Sequence, residues 1–182
     1  MTYNKTFYPD FIYHATPVEI DIFNLEHLDG SELNFGPGIY FSDKADNIDF
    51  YLEENPNGNI YKTALDISNN NIVNWYDIID YERIFVGIEK YFNIILNINK
   101  LNTIQKFSSQ YRGKNYLYLM SNLETDLWKI TKKPISIGHS KQFLNIFTEF
   151  TNIDVMFMEN GTFRNEYVVF NPKILNIIEK VI

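Results

Sequence analysis

Strand signals sit at the two ends of this chain, and helical periodicity fills the middle. Residues 11–15, 38–41 and 60–67 read as strands near one end, and residues 154–158 and 167–170 near the other. Tyr167, Val168, Val169 and Phe170 are strong β formers, and Asn171 and Pro172 stop them. Between the two groups, residues 76–101 carry Ile79, Ile84, Ile88, Phe92 and Ile95 at spacings close to one apolar helix face. Residues 116–130 repeat the pattern with Leu119, Leu123 and Leu127, and residues 141–150 read as a further helix. Residues 19–28 show helical spacing over a short stretch, residues 44–54 a helix capped by Ser42 or Asp43, and the tail 174–182 a last strand or a short helix. This distribution predicts an α+β fold rather than alternating βαβ units. With no linker, repeat or low-complexity segment, one domain over 1–182 with a helical insert at about 70–150 is expected.

Composition narrows the chemistry. There is no cysteine, so disulfides, zinc-thiolate sites and thiol nucleophiles are excluded. The spacing of Asp and His suits no metal site, and none is expected. A formal charge of −7 provides no long-range attraction to nucleic acid or anionic membrane. The opening MTYNKTFYPD has no apolar signal core and no run is long enough to span a bilayer, so a soluble, cytoplasmic protein is the simplest expectation.

Three strings concentrate the chemically useful residues. In YHAT (13–16), His14 ends an apolar strand, and the small Ala15 lets a flat ligand approach the backbone before Thr16 and Pro17. An isolated histidine is more often an ordinary surface or core residue, and His14 differs from His27 and His139 in its context. In GPGIYFSD (36–43), Gly36, Pro37 and Gly38 form a turn into a strand carrying Tyr40, and Tyr51 follows eleven residues later. Alone, that string is as compatible with a plain turn–strand junction as with a site. In RNEYVVFNP (164–172), Glu166 begins a strand; most glutamates at such places are simply exposed.

Together, in this order and with this tyrosine spacing, the strings resemble the H-Y-E branch of the ADP-ribosyltransferases, the branch of the diphtheria-toxin group and the poly(ADP-ribose) polymerases. The resemblance covers roughly 11–67 and 154–172. It implies two packed, mostly antiparallel sheets forming a cleft for NAD, which is the substrate. It implies His14 on the adenosine ribose and the main chain at His14, Ala15 and Thr16 on the nicotinamide amide. Tyr40 and Tyr51 would stack on the nicotinamide, with Gly38 beside them, because a flat and partly cationic ring suits aromatic partners. Glu166 would be the catalytic carboxylate, stabilising the oxocarbenium-like ribose formed when the glycosidic bond breaks. His14, Tyr40 and Glu166 thus form the implied catalytic set. Two positions depart from the family pattern: Ala15 replaces the usual glycine, and Ile48 stands where the polymerases place a serine.

The expected activity is mono-ADP-ribosyl transfer to a protein or nucleic-acid acceptor, by a prokaryotic or phage toxin or phage-defence effector that an antitoxin could restrain. The alternatives are an NAD glycohydrolase and an inactive NAD-binding or interaction module of the same fold. The helical middle, with Lys129, Lys132, Lys133, Lys141 and His139, has no counterpart in the family strings and is assigned to acceptor or partner contact. A solvated helix end is the plainer reading of that basic stretch.

Overall fold

The computed structural model describes residues 8–25, 38–66, 72–74, 77, 81–95, 140–160 and 164–182. Its strands are β1 (Phe11–Thr16), β2 (Ile39–Ser42), β3 (Asn59–Leu65), β4 (Ile72–Asn74), β5 (Val155–Asn160), β6 (Arg164–Val169) and β7 (Leu175–Lys180). Its α-helices are α1 (Asp49–Glu54), α2 (Tyr81–Phe92) and α3 (Ser140–Thr151), with 3-10 turns at Ala45–Ile48 and Pro172–Ile174. The expected α+β class is found, but the described strands make one seven-stranded sheet in the order β4-β5-β6-β2-β1-β3-β7 rather than two sheets. That order interleaves strands from both ends of the sequence: β2 lies between β1 and β6.

Side-chain alternation sets the core. Ile12, Ile39, Phe41, Val155, Phe157, Tyr167 and Val169 occupy one face of their strands and are all buried, with Leu65 joining them. Their neighbours on the other face, Ile60, Met156, Met158 and Val168, are buried as well. Both faces of the central strands are therefore covered, which is why residues 167–170 read as an unbroken apolar run. Each fully buried side chain of this size contributes about 1.5–3 kcal/mol. The Tyr167 hydroxyl in this core is pushed above its ordinary range by burial, then by the nearby charge of Asp43.

The middle of the chain departs from expectation. β4, unforeseen, pairs parallel with β5 through Ile72↔Val155, Val73↔Met156 and Asn74↔Phe157. Parallel neighbours need a crossover, so the stretch expected as an insert is the connection between β4 and β5. α2 stops at Phe92 rather than running to 101: Asn93 takes a positive φ of 51° and the Ile94 N–H donates back to the Glu89 carbonyl at 3.2 Å. This is a Schellman stop, and Ile95 beyond it is 90% exposed instead of facing the core. α3 ends in the simpler left-handed cap, with Asn152 at φ 56° and its N–H on the Thr148 carbonyl at 3.2 Å. The two helices pack at Gly87, where an added Cβ would lie 2.6 Å from Ile146 Cγ2 and 2.7 Å from Phe150 Cδ2. Among the described residues no helix is long and apolar enough to cross a membrane. The expected helix over 116–130, His27, His139, Lys129, Lys132 and Lys133 lie outside the described residues, as does the side chain of Lys141.

Two shorter expectations are corrected. Residues 19–24 are irregular, bending at Asp21 and Ile22 before a 3-10 residue at Leu25, and they are tied down by the Ile20 N–H donating to the Tyr61 hydroxyl at 3.0 Å and by Phe23 packing into the core. The expected helix over 44–54 breaks in two, a 3-10 turn followed by α1, and Ile48 at the junction offers no side-chain cap.

Candidate functional site

The site forms where β1, β2 and β6 lie side by side. β1 is bound to β3 along its whole length, through six pairs from Phe11↔Ala64 to Thr16↔Asn59. On its other side β1 registers with β2 at Tyr13↔Ser42 alone. Continued regularly, that ladder would set His14 against Phe41 and Ala15 against Tyr40. Instead the strands part, and the His14 side chain bridges the gap: its Nδ1 lies 2.7 Å from the Tyr40 carbonyl oxygen. A carbonyl only accepts, so Nδ1 carries the proton and donates. Burial depresses the ring's pKa below 6.5, opposed in part by the bond to Tyr40. The imidazole is therefore neutral at physiological pH, with Nε2 an acceptor.

Aromatic neighbours hold that ring still. Phe23 meets it edge-on with centroids 5.3 Å apart, and Phe41 lies at 5.3 Å, tilted by 47°. His14 is thus on the face of Phe41, the core face, and reaches Tyr40 through the backbone. The pairing register puts Tyr40, Ser42 and Glu166 on the opposite face, since Tyr40 stands opposite Val168 and Ser42 opposite Glu166. The expected residues come together on three neighbouring strands, but across the seam rather than on a single face.

Glu166 is the third residue of β6 and not its first, because Arg164 and Asn165 already pair with Asn160 and Glu159 across the hairpin. It is half-buried, with Oε2 shut off from solvent. Directly opposite it, Ser42 is 2% exposed. The next rung is made by side chains. The Asp43 N–H donates to the Asn165 carbonyl at 3.2 Å, the Asn165 N–H to Asp43 Oδ1 at 3.3 Å, and Asn165 Nδ2 to Asp43 Oδ2 at 3.0 Å. In the sequence Ser42 and Asp43 stand out only as candidate helix caps, and Asn165 has no evident role. The only signal for them is their adjacency to Phe41 and Glu166.

The remaining expected residues surround this frame. Tyr51 is half-buried on α1, and its carbonyl accepts the Asn55 N–H at 2.9 Å and Asn55 Nδ2 at 3.2 Å, closing the helix end. The 3-10 turn leading to α1 packs against both β1 and β2. Ala15 is half-buried and Thr16 buried, the Thr16 hydroxyl accepting the Val18 N–H at 3.3 Å. Gly38 is buried where a Cβ would collide with Val168 Cγ1, so close packing on β6 requires glycine there. Among the described residues no three His, Cys, Asp or Glu side chains are gathered to hold a metal ion.

The arrangement offers a neutral imidazole acceptor, a stretch of β1 main chain beyond its one pair with β2, half-buried aromatic surface and a carboxylate on β6, next to β2. That set suits a polar ligand with a flat ring and sugar hydroxyls. No family model matches the chain, and no curated protein and no solved structure matches it.

Proposed function

We propose that the chain cleaves the nicotinamide–ribose bond of NAD and transfers ADP-ribose to a macromolecular acceptor. The observation that supports this reading best is the parted β1–β2 seam, bridged by His14 and Tyr40 and flanked by the strand of Glu166. In this reading the main chain at Ala15 and Thr16 meets the carboxamide where the β2 ladder stops. Tyr40 and Tyr51 pack on the nicotinamide ring. His14 Nε2 accepts from a hydroxyl of the adenosine ribose.

The chemistry then falls to Glu166. As the glycosidic bond breaks, nicotinamide departs with the bonding electron pair and positive charge grows on the ribose. A carboxylate bonded to the 2′-hydroxyl favours that charge electrostatically. The acceptor's nucleophile forms the new bond to the anomeric carbon and loses its proton to Glu166 or water. The acceptor is a protein or a nucleic acid, and a restraining antitoxin fits an effector of this kind working in a cell's interior.

Purified chain incubated with NAD is expected to release nicotinamide, and mass spectrometry of protein and nucleic acid after expression to find an ADP-ribose adduct. Release without any adduct would reduce the activity to NAD hydrolysis. No release in the presence of cell extract would overturn the reading.

A further inference from the structure

We infer that Asp43 and Asn165 form a positioning clamp that sets the Glu166 carboxylate, a role that presupposes the ADP-ribose transfer proposed above. Three hydrogen bonds join this one residue pair, at 3.2, 3.3 and 3.0 Å. The pair is the rung immediately after Ser42↔Glu166. In a plain antiparallel rung the Asn165 N–H would donate to the Asp43 carbonyl. Here β2 has already turned away into the 3-10 turn at Ala45–Ile48, and the Asp43 carboxylate takes the carbonyl's place. The ladder is thereby extended by one residue past the end of β2, at the residue of β6 next to Glu166.

The physical reason for such a device lies in the neighbouring seam. β2 is poorly fixed toward β1, where it registers at one pair, so its placement relative to β6 rests on the β2–β6 side. A carboxylate that must meet a sugar hydroxyl needs its backbone fixed to within about half an ångström. Charge-assisted bonds from an amide N–H and a side-chain amide to one carboxylate are strong enough to do this, and stronger than neutral ones. The same Asp43 stands two residues before the 3-10 turn that leads to α1 and Tyr51.

The test measures nicotinamide release by the purified full chain, with kcat and the KM for NAD determined separately and folding checked by thermal melting. Asp43→Asn and Asn165→Ala are each expected to lower kcat by roughly 10- to 100-fold while KM stays within about threefold, because the clamp acts on alignment rather than on binding. The exchanged pair, Asp43→Asn with Asn165→Asp, restores a donor opposite a carboxylate and is expected to recover most of the lost kcat. Either single variant turning over like the parent would overturn the clamp and leave the activity standing. A folded double variant no better than the singles would do the same. If both single variants fail to fold, the pair is structural and the positioning role falls. A parent chain that releases no nicotinamide would overturn the activity and the clamp together.

Discussion

The two sides of β1 differ sharply. Toward β3 it is paired at every residue, His14 against Tyr61 and Ala15 against Ile60, and the contact is a plain piece of sheet. Toward β2 it is paired once, and a side chain substitutes for a ladder bond. The same six residues thus serve as scaffold on one edge and border the candidate site on the other. A strand locked by one neighbour can release main-chain groups toward the other without losing its place.

That contrast can be broken or sharpened by experiment. The largest effect is expected on the open side: Glu166→Gln should cut nicotinamide release by about 10²–10³-fold, the scale for losing one electrostatic group, with the melting temperature little changed. A variant as active as the parent would remove Glu166 from the chemistry. On the closed side, Ile60→Ala should cost about 2–5 kcal/mol of stability in a denaturant titration, since Ile60 is fully buried opposite Ala15. A loss well below that range would mean the β1–β3 side is not the anchor.

Smaller effects probe the seam itself. Tyr40→Ala or Tyr51→Ala should weaken NAD binding by about 1–2 kcal/mol, roughly 5- to 30-fold by calorimetry, if the rings stack on nicotinamide. Unchanged affinity in both variants would dismiss the stack. The smallest effect is a pH slope. The His14 pKa is depressed in the folded chain, so above 6.5 the ring is neutral folded or unfolded and contributes nothing pH-dependent. As pH falls through 6.5 the unfolded chain takes up a proton that the folded ring resists, and stability is lost until the folded ring itself titrates. Melting temperatures at about pH 7.5 and about pH 5.5 should therefore differ less in His14→Gln than in the parent. Equal differences would show that His14 titrates alike in both states.

What could be read from the sequence follows a physical line. β1, β2, β3, β5 and β6 were readable because their apolar alternation or unbroken apolar runs persist over several residues and are bounded at one end by Pro, Gly or Asn. β4 was not, because three residues, Ile72–Asn74, hold too little periodicity, and its pairing with β5 is visible only in space. The overrun past Phe92 has a similar cause: apolar Ile94 and Ile95 continue the pattern, while the stop is made by the backbone of Asn93. At the site, His14, Tyr40 and Glu166 stood out through motif and spacing. Asp43 and Asn165 did not, since a carboxylate replacing a backbone carbonyl leaves no periodic trace.

The strand order has a consequence in time. β2 finds β1 after a short stretch of chain, but its other partner, β6, brings Asn165 to Asp43 across a separation of 122 residues. During synthesis the edge of β2 waits open while the β4–β5 crossover is made, and long-range pairing of this kind is slow to form. The acid therefore joins the histidine and tyrosine only after nearly all of the described sheet has been translated. A ribosome making this chain carries half of the candidate site until β6 emerges, so shortened products ending before it would hold the histidine strand without the glutamate.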